Sequence, residues 1–259
     1  MGSFEAPVAV VTGASRGIGR AVALRLGAAG FRVALGARSL GDLEGLVAEI
    51  EAAGGEAMSA ALDVRDDGSV ATFVQEVLRR FGRVDLLVAN AGIGGGDLFW
   101  TMTPEEIRSL VETNFLGVLR TVRQVLPTMR RQHRGSVVIV ASVAGEVALP
   151  GSSLYAATKA ALVRFSDGLG REVRRDGVRV TAILPGFVRT DMTRDLPFPM
   201  PGPDVVARAV LRAYRNGPRR IVVPGFYVLL IALARLAPRL VDVVGRGILR
   251  DMDGEGRAR

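Results

Sequence analysis

Cysteine is absent from this 259-residue chain, histidine and tryptophan occur once each, and tyrosine three times. Without cysteine there is no disulfide, no thiolate metal site and no cysteine nucleophile. The one histidine, His133, lies in the polar run 130–135 between a helical and a strand-like pattern, where a surface loop is expected, so no metal site is expected either. Lysine is scarcer than its charge class suggests: the 34 basic residues are 33 arginines and Lys159. Where arginine serves every generic need for positive charge, a solitary lysine points to a compact, rotatable ammonium that a planar guanidinium cannot imitate. It stands four residues after Tyr155.

What the chain has in quantity narrows the reading further. An apolar content of 49% suits one large α/β domain with a continuous core. The formal charge of +8 invites a nucleic-acid reading, but the arginines are spread in pairs such as Arg79-Arg80 and Arg174-Arg175 without interleaved aromatics, which argues against a stacking platform. No charged stretch followed by a long apolar one precedes Pro7, and Ala6 breaks the myristoylation pattern that Gly2 would open, so neither signal peptide nor lipidation is expected and the cytoplasm is the default compartment.

Short runs rich in Val, Ile, Leu and Ala at 8–12, 32–36, 57–62, 84–89, 136–141, 178–184 and 220–223 alternate with longer helical patterns, among them 17–29, 43–53, 69–81 and 154–175. Strands that are apolar throughout belong to a parallel sheet covered on both faces. The expected fold is α/β: a single-domain, doubly wound, Rossmann-type, seven-stranded parallel sheet over 1–225, followed by an apolar C-terminal helical extension over 226–259 packed on the same domain or on a partner subunit. Within that extension, 239–250 has the spacing of an amphipathic helix and 251–259 is expected to fray.

The stretch 12–19, Thr-Gly-Ala-Ser-Arg-Gly-Ile-Gly, joins the first strand to the first helix. Gly13, Gly17 and Gly19 permit a tight turn and close approach of the backbone to a pyrophosphate, with Ser15, Arg16 and Ile18 between them and the helix N-terminus facing the phosphates. About 20 residues further on, where a carboxylate would meet an unphosphorylated ribose, the chain has Arg38. Arg16 and Arg38 are expected to flank a 2′-phosphate with no carboxylate to repel it, so NADP(H) is preferred to NAD(H).

A helix starting near Ser153 puts Tyr155 and Lys159 on one face, one turn apart. Ser142 closes a strand at its carboxyl end, where doubly wound sheets hold ligands. These residues suit hydride chemistry on a carbonyl or alcohol: Tyr155 as general acid, made acidic by Lys159 and the oxidised nicotinamide ring, Ser142 holding the substrate oxygen, and Asn114 holding a water that links Lys159 to solvent.

The combination resembles the short-chain dehydrogenase/reductase family from about Val8 to Thr190, carried by the 12–19 loop, Asp63-Val64, Asn90-Ala91-Gly92, Asn114, Ser142, Tyr155, Lys159, Pro185-Gly186 and Thr190. The resemblance implies that Asp63 and Val64 contact an adenine, that Asn90 supports the adenosine side, that Lys159 bonds the nicotinamide ribose, that Val188 and Thr190 lie near the carboxamide, and that Ala91, Gly92, Tyr155, Pro185 and Gly186 also bind the nucleotide. It also implies homodimers or homotetramers. Two rivals are a nucleotide-sugar epimerase, disfavoured by the glycine spacing, and a non-catalytic NADP(H)-binding or membrane-docking module, disfavoured by the intact polar set. Gly94-Gly95-Gly96 suggests a flexible loop beside the substrate, and four prolines between Thr190 and Asp204 suggest an extended flap. For the apolar tail three readings stay open: a lid over a lipophilic substrate, a subunit contact, or peripheral membrane contact.

Overall fold

The computed structural model describes residues 6–95, 97–194, 196–197 and 199–256. Seven parallel strands, β1 (Val8–Thr12), β2 (Arg32–Ala37), β3 (Glu56–Ala61), β4 (Leu86–Ala89), β5 (Gly135–Val140), β6 (Val178–Pro185) and β7 (Arg220–Val223), form one sheet in the order β3-β2-β1-β4-β5-β6-β7. The order reverses between β1 and β4, and the crevice at their carboxyl ends is where such folds take ligands.

Alternation along the buried strands explains the two layers of core. In β5, Val137 and Ile139 join Phe73 and Leu162 on one face, whereas Val138 and Val140 join Leu26, Leu35 and Ile50 on the other. Helices α1 (Gly17–Ala28), α2 (Leu40–Ala52) and α7 (Asp204–Asn216) cover the second face; α3 (Asp67–Phe81), α5 (Gly117–Arg131) and α6 (Ser153–Glu172) cover the first. Helix α3 shows why the sequence forms them. Asp66 caps it by accepting from the Ser69 amide at 2.5 Å, Val70, Phe73, Val74, Val77 and Phe81 recur at helical spacing on the buried side, and Gly82 ends it at φ 73°.

The seven strands and their parallel order match the expectation, with edges that differ by a residue or two. The largest shift is in β4, which begins at Leu86 rather than residue 84 because the Val84 amide donates to the Gln132 side chain at 3.1 Å instead of to a neighbouring strand. Helix α6 stops at Glu172, and Arg174–Asp176 form a 3₁₀ turn closed by Gly177 at φ 73°.

Beyond β7 the extension forms α8 (Tyr227–Leu236) and α9 (Pro238–Gly256). Residues 251–256, expected to fray, continue α9; residues 257–259 lie outside the described ones. Among the described residues, no helix is long and apolar enough to cross a membrane, and no cluster of His, Asp and Glu is placed to hold a metal.

Candidate active site

The glycine loop leaves β1 at Thr12, whose hydroxyl accepts from the amides of Asn90 and Ala91, both at 3.0 Å. The Asn90 side chain donates in return to the carbonyls of Thr12 and Gly13 at 3.0 and 3.1 Å. Asn90 therefore ties the end of β4 to the loop after β1, a bracing role beyond the adenosine support that the resemblance implies. Ala91 packs beneath Gly13, where an added Cβ would lie 2.8 Å from the Ala91 Cα; at Gly19 it would lie 2.0 Å from the Gly13 carbonyl. Neither position accommodates a larger residue without moving backbone. Gly13 and Gly17 have φ of 64° and 55°, the left-handed region that glycine occupies freely. Arg16 precedes α1, whose first turn has no acidic residue and no side-chain cap, so its free N–H groups and positive dipole end suit an anion. Ser15 and Ile18 are half-buried.

At the far side of the cradle, Thr190 faces the loop: a Cβ on Gly17 would stand 3.4 Å from the Thr190 methyl. Thr193 fixes the Thr190 segment by accepting from its amide at 3.0 Å and donating to the Val188 carbonyl at 2.6 Å. Val188 is buried, and Pro185 ends β6. Gly186 is covered by the Tyr227 ring of α8, which a Cβ would meet at 2.1 Å, and the Tyr227 hydroxyl accepts from the Phe187 amide at 3.2 Å. The flap beyond Thr190 has a short 3₁₀ turn, Asp191–Thr193, and is otherwise irregular; Asp195 and Phe198 lie outside the described residues.

Carboxylates stand near both Arg16 and Arg38, which differs from the expectation that none is near. Arg16 pairs with Asp191 at 3.5 Å across the exposed mouth, a contact between distant parts of the sequence that no local pattern announces. Arg38, just past β2, acts on Asp63, whose carboxyl is held below the ordinary carboxylate range chiefly by hydrogen bonds from Arg65. Arg65 donates to both Asp63 oxygens at 2.6 to 3.1 Å. Sequence reading overlooked Arg65; its signal was a third arginine two residues after Asp63. Val64 is buried, and Gly117 lies so near that an added Cβ would meet the Val64 side chain at 2.6 Å.

Catalytic candidates converge from three elements. Helix α4 (Pro104–Val111) runs through a π-helical turn, Glu112–Leu116, into α5, and this wide turn directs Asn114 inward, fully buried. Asn114 accepts from the Ile93 amide at 2.8 Å and donates to the Ile93 carbonyl at 2.9 Å. Its side chain thus holds the loop after β4, a bond pattern not anticipated for a water-holding residue. That loop continues as Gly94 against Met192 and Gly95 against Leu110, with Gly96 outside the described residues. Ser142 lies two residues past the end of β5 and caps a 3₁₀ turn, Val143–Gly145, accepting from the Ala144 amide at 3.1 Å. Gly145 packs the turn onto α6, where a Cβ would sit 2.8 Å from the Lys159 carbonyl carbon. Glu146 then anchors it, accepting from Arg220 of β7 at 2.9 Å and from Arg235 of α8.

Tyr155 and Lys159 stand one turn apart near the start of α6. Lys159 is 5% exposed, its amine donates to the Val140 carbonyl at 3.0 Å, and it lies 5.6 Å from the Tyr155 ring centre. A Cβ on Gly92 would come within 3.3 Å of the Asn114 oxygen and 3.6 Å of the Lys159 nitrogen, so Gly92 lies directly against both groups. Burial lowers the Lys159 ammonium to about 8. Burial raises the Tyr155 phenol, and a hydrogen bond with Ser142 pulls it part of the way back. In the protein alone desolvation therefore sets the direction at Tyr155, because both groups are withdrawn from water; the expected acidification draws also on the charge of an oxidised nicotinamide ring.

The family model of the short chain dehydrogenases matches residues 7–198, and the chain belongs to that family of oxidoreductases, enzymes that bind a nicotinamide nucleotide and act on carbonyl or alcohol groups. Among similar proteins is the 3-oxoacyl-[acyl-carrier-protein] reductase FabG of Escherichia coli K12, 40% identical over 194 residues that span 75% of this chain and 78% of the relative. Among solved structures, a single-site variant of the actinorhodin polyketide ketoreductase with NADPH superposes with a TM-score of 0.81 at 32% identity, covering 87% of this chain and 98% of the other. A short chain dehydrogenase/reductase from Burkholderia phymatum in complex with NAD gives 0.85 at 27% identity, covering 93% and 96%.

Proposed function

We propose that this enzyme is an NADP(H)-dependent carbonyl reductase, an alcohol dehydrogenase in reverse, acting on a lipophilic ketone or aldehyde. The observation that carries the reading is the meeting of Tyr155, Ser142 and a buried Lys159 beside the glycine cradle. The cradle fits a dinucleotide: its close backbone approaches leave no room for side chains, and its helix end offers uncapped N–H groups. Gly13, Ser15, Gly17 and Ile18 would hold the pyrophosphate, Asp63 and Val64 the adenine side, and Lys159, Val188 and Thr190 the nicotinamide side.

When bound, the nucleotide supplies a hydride to the carbonyl carbon in reduction and receives it in oxidation. Tyr155 gives its phenolic proton to the substrate oxygen, completing the alcohol, and recovers a proton from the side of Lys159 and Asn114. Ser142 bonds the same oxygen and fixes the carbonyl against Tyr155. Burial raises the Tyr155 phenol, so the hydroxyl carries its proton at neutral pH. A cleft lined by Leu98, Phe99, Trp100, Leu149, Pro150 and Leu249 opens beside the start of α6, which supports an apolar substrate.

Arg38 with Arg65 supports the phosphorylated nucleotide. Arg38→Asp removes a charge-assisted bond worth about 1.5–3 kcal/mol and places a carboxylate beside Asp63. The ratio of kcat/KM for NADPH to that for NADH is expected to fall by about ten- to a hundredfold; an unchanged ratio rejects the assignment. The activity itself is tested by following NADPH optically across a panel of ketones and aldehydes. Tight NADPH binding without turnover of any of them would favour a non-catalytic role.

A further inference from the structure

Ser142 and Tyr155 belong to separate elements, and their hydrogen bond depends on how the turn after β5 lies on α6. That turn is joined to the helix in two places. In the first, Gly145 packs on the helix backbone, where an added Cβ would lie 2.8 Å from both the Ala160 nitrogen and the Lys159 carbonyl carbon. The second is indirect. Glu146, four residues after Ser142 and with its side chain 6% exposed, accepts from Arg220 of β7 at 2.9 Å. The same guanidinium donates from its other two nitrogens to the two oxygens of Asp167 in α6, whose side chain is 14% exposed. One side chain from a third element therefore holds the serine turn and the tyrosine helix at once, across 74 and 53 residues of sequence.

Both acids are met from two sides, as a carboxylate withdrawn from water requires: Glu146 also by Arg235 of α8, and Asp167 also by Arg164 at 3.6 Å. Arg220 is the member they share. Its hydrogen bond is the chief reason that the Asp167 carboxyl lies below the ordinary carboxylate range, so the contact is with the ionised form. A guanidinium presents its donors in a fixed plane, and two carboxylates bound to one are held at a set separation. Helix α6 is continuous from Ser153 to Glu172, so Asp167 and Tyr155 move together on one rod, about 18 Å apart along its axis. A network of this kind adds little net stability over apolar packing; what it fixes is placement. A shift of about 1 Å between reacting groups is enough to cost about a hundredfold in rate.

We propose that Arg220 is a positioning residue: by gripping Glu146 and Asp167 together, it sets the Ser142 turn against the Tyr155 helix at the separation that carbonyl reduction requires. The inference rests on the catalytic reading above. Arg220→Gln and Glu146→Gln are to be compared with the wild-type chain, each also in a Ser142→Ala background, using NADPH and a ketone that the wild type reduces. Each single variant is expected to lower kcat by about ten- to a hundredfold, while KM for NADPH stays at the wild-type value because neither residue lies in the glycine cradle. In the Ser142→Ala background the same substitutions should cost less than about twofold, since the serine they place is gone. A residue that only supports the fold would lower kcat by the same factor in both backgrounds, and that additivity overturns the proposal. So does wild-type kcat in both single variants, or a rise in KM for NADPH that accounts for the loss. Glu146→Gln keeps the shape of its side chain and carries the cycle alone if thermal melts show that Arg220→Gln does not fold. Failure of the catalytic reading has a different signature: the wild-type chain would turn over no ketone, or Ser142→Ala would leave kcat unchanged, and the positioning role would fall with it.

Discussion

Tyr155→Phe is expected to lower turnover by about 10²–10⁴-fold, the range for removing a positioned general acid, while nucleotide affinity is retained. Phenylalanine keeps the ring that Lys159 overlies and deletes only the hydroxyl that Ser142 bonds. The wild-type pH profile provides an independent check. A phenol raised by burial keeps its proton through neutrality, so reduction should hold steady there and decline only as alkaline pH passes the raised value. Oxidation, which needs the deprotonated form, should rise over the same interval. Wild-type turnover in the phenylalanine variant, measured by NADPH consumption, would end the assignment of Tyr155 as proton donor.

Lys159→Met should have opposite effects on activity and stability. Turnover should fall by a similar factor, because the ammonium beside Tyr155 is lost, yet the protein should become more stable at neutral pH. The amine is buried and lowered from 10.5 to about 8. Below pH 8 folded and unfolded chains both carry the proton, and the fold bears the full cost of burying the charge. Between about 8 and 10.5 the unfolded chain retains a proton that the folded one has released, so the wild-type protein gains stability with rising pH. A difference of roughly 2.5 pKa steps at 1.36 kcal/mol each is about 3 kcal/mol. Loss of the bond to the Val140 carbonyl offsets about 1 kcal/mol of it. Denaturant melts at pH 7 and pH 10.5 check this. A variant equally destabilised at both pH values would show that the ammonium carries no burial cost.

These two residues were legible in the sequence for a chemical reason: a lysine without substitutes, one turn from a tyrosine, in a chain that otherwise uses arginine. The parallel sheet was legible because strands buried on both faces cannot alternate apolar with polar residues, as 8–12 and 136–140 do not. What escaped notice depends on approach between distant segments. Arg16 meets Asp191, Asn114 bonds the Ile93 backbone, and Tyr227 lies on Gly186, in each case across 21 residues of sequence or more. The Tyr155 proton balance escaped for another reason. Residue spacing shows which charges are near but not how much water the fold removes, and here desolvation decides the direction for both Tyr155 and Lys159. The tail was readable as apolar, but which of its side chains would be covered was not.

The wide turn at Glu112–Leu116 joins α4 and α5 without breaking the rod. A regular helix rotates successive side chains by about 100°, and the surplus residue in this stretch absorbs one such step locally. The two flanking segments keep their own packing registers, and the adjustment is confined to five positions. Shortening the stretch by a single residue would leave both ends seated and swing the amide of Asn114 off the Ile93 peptide, releasing the strand-end loop while the scaffold stays whole.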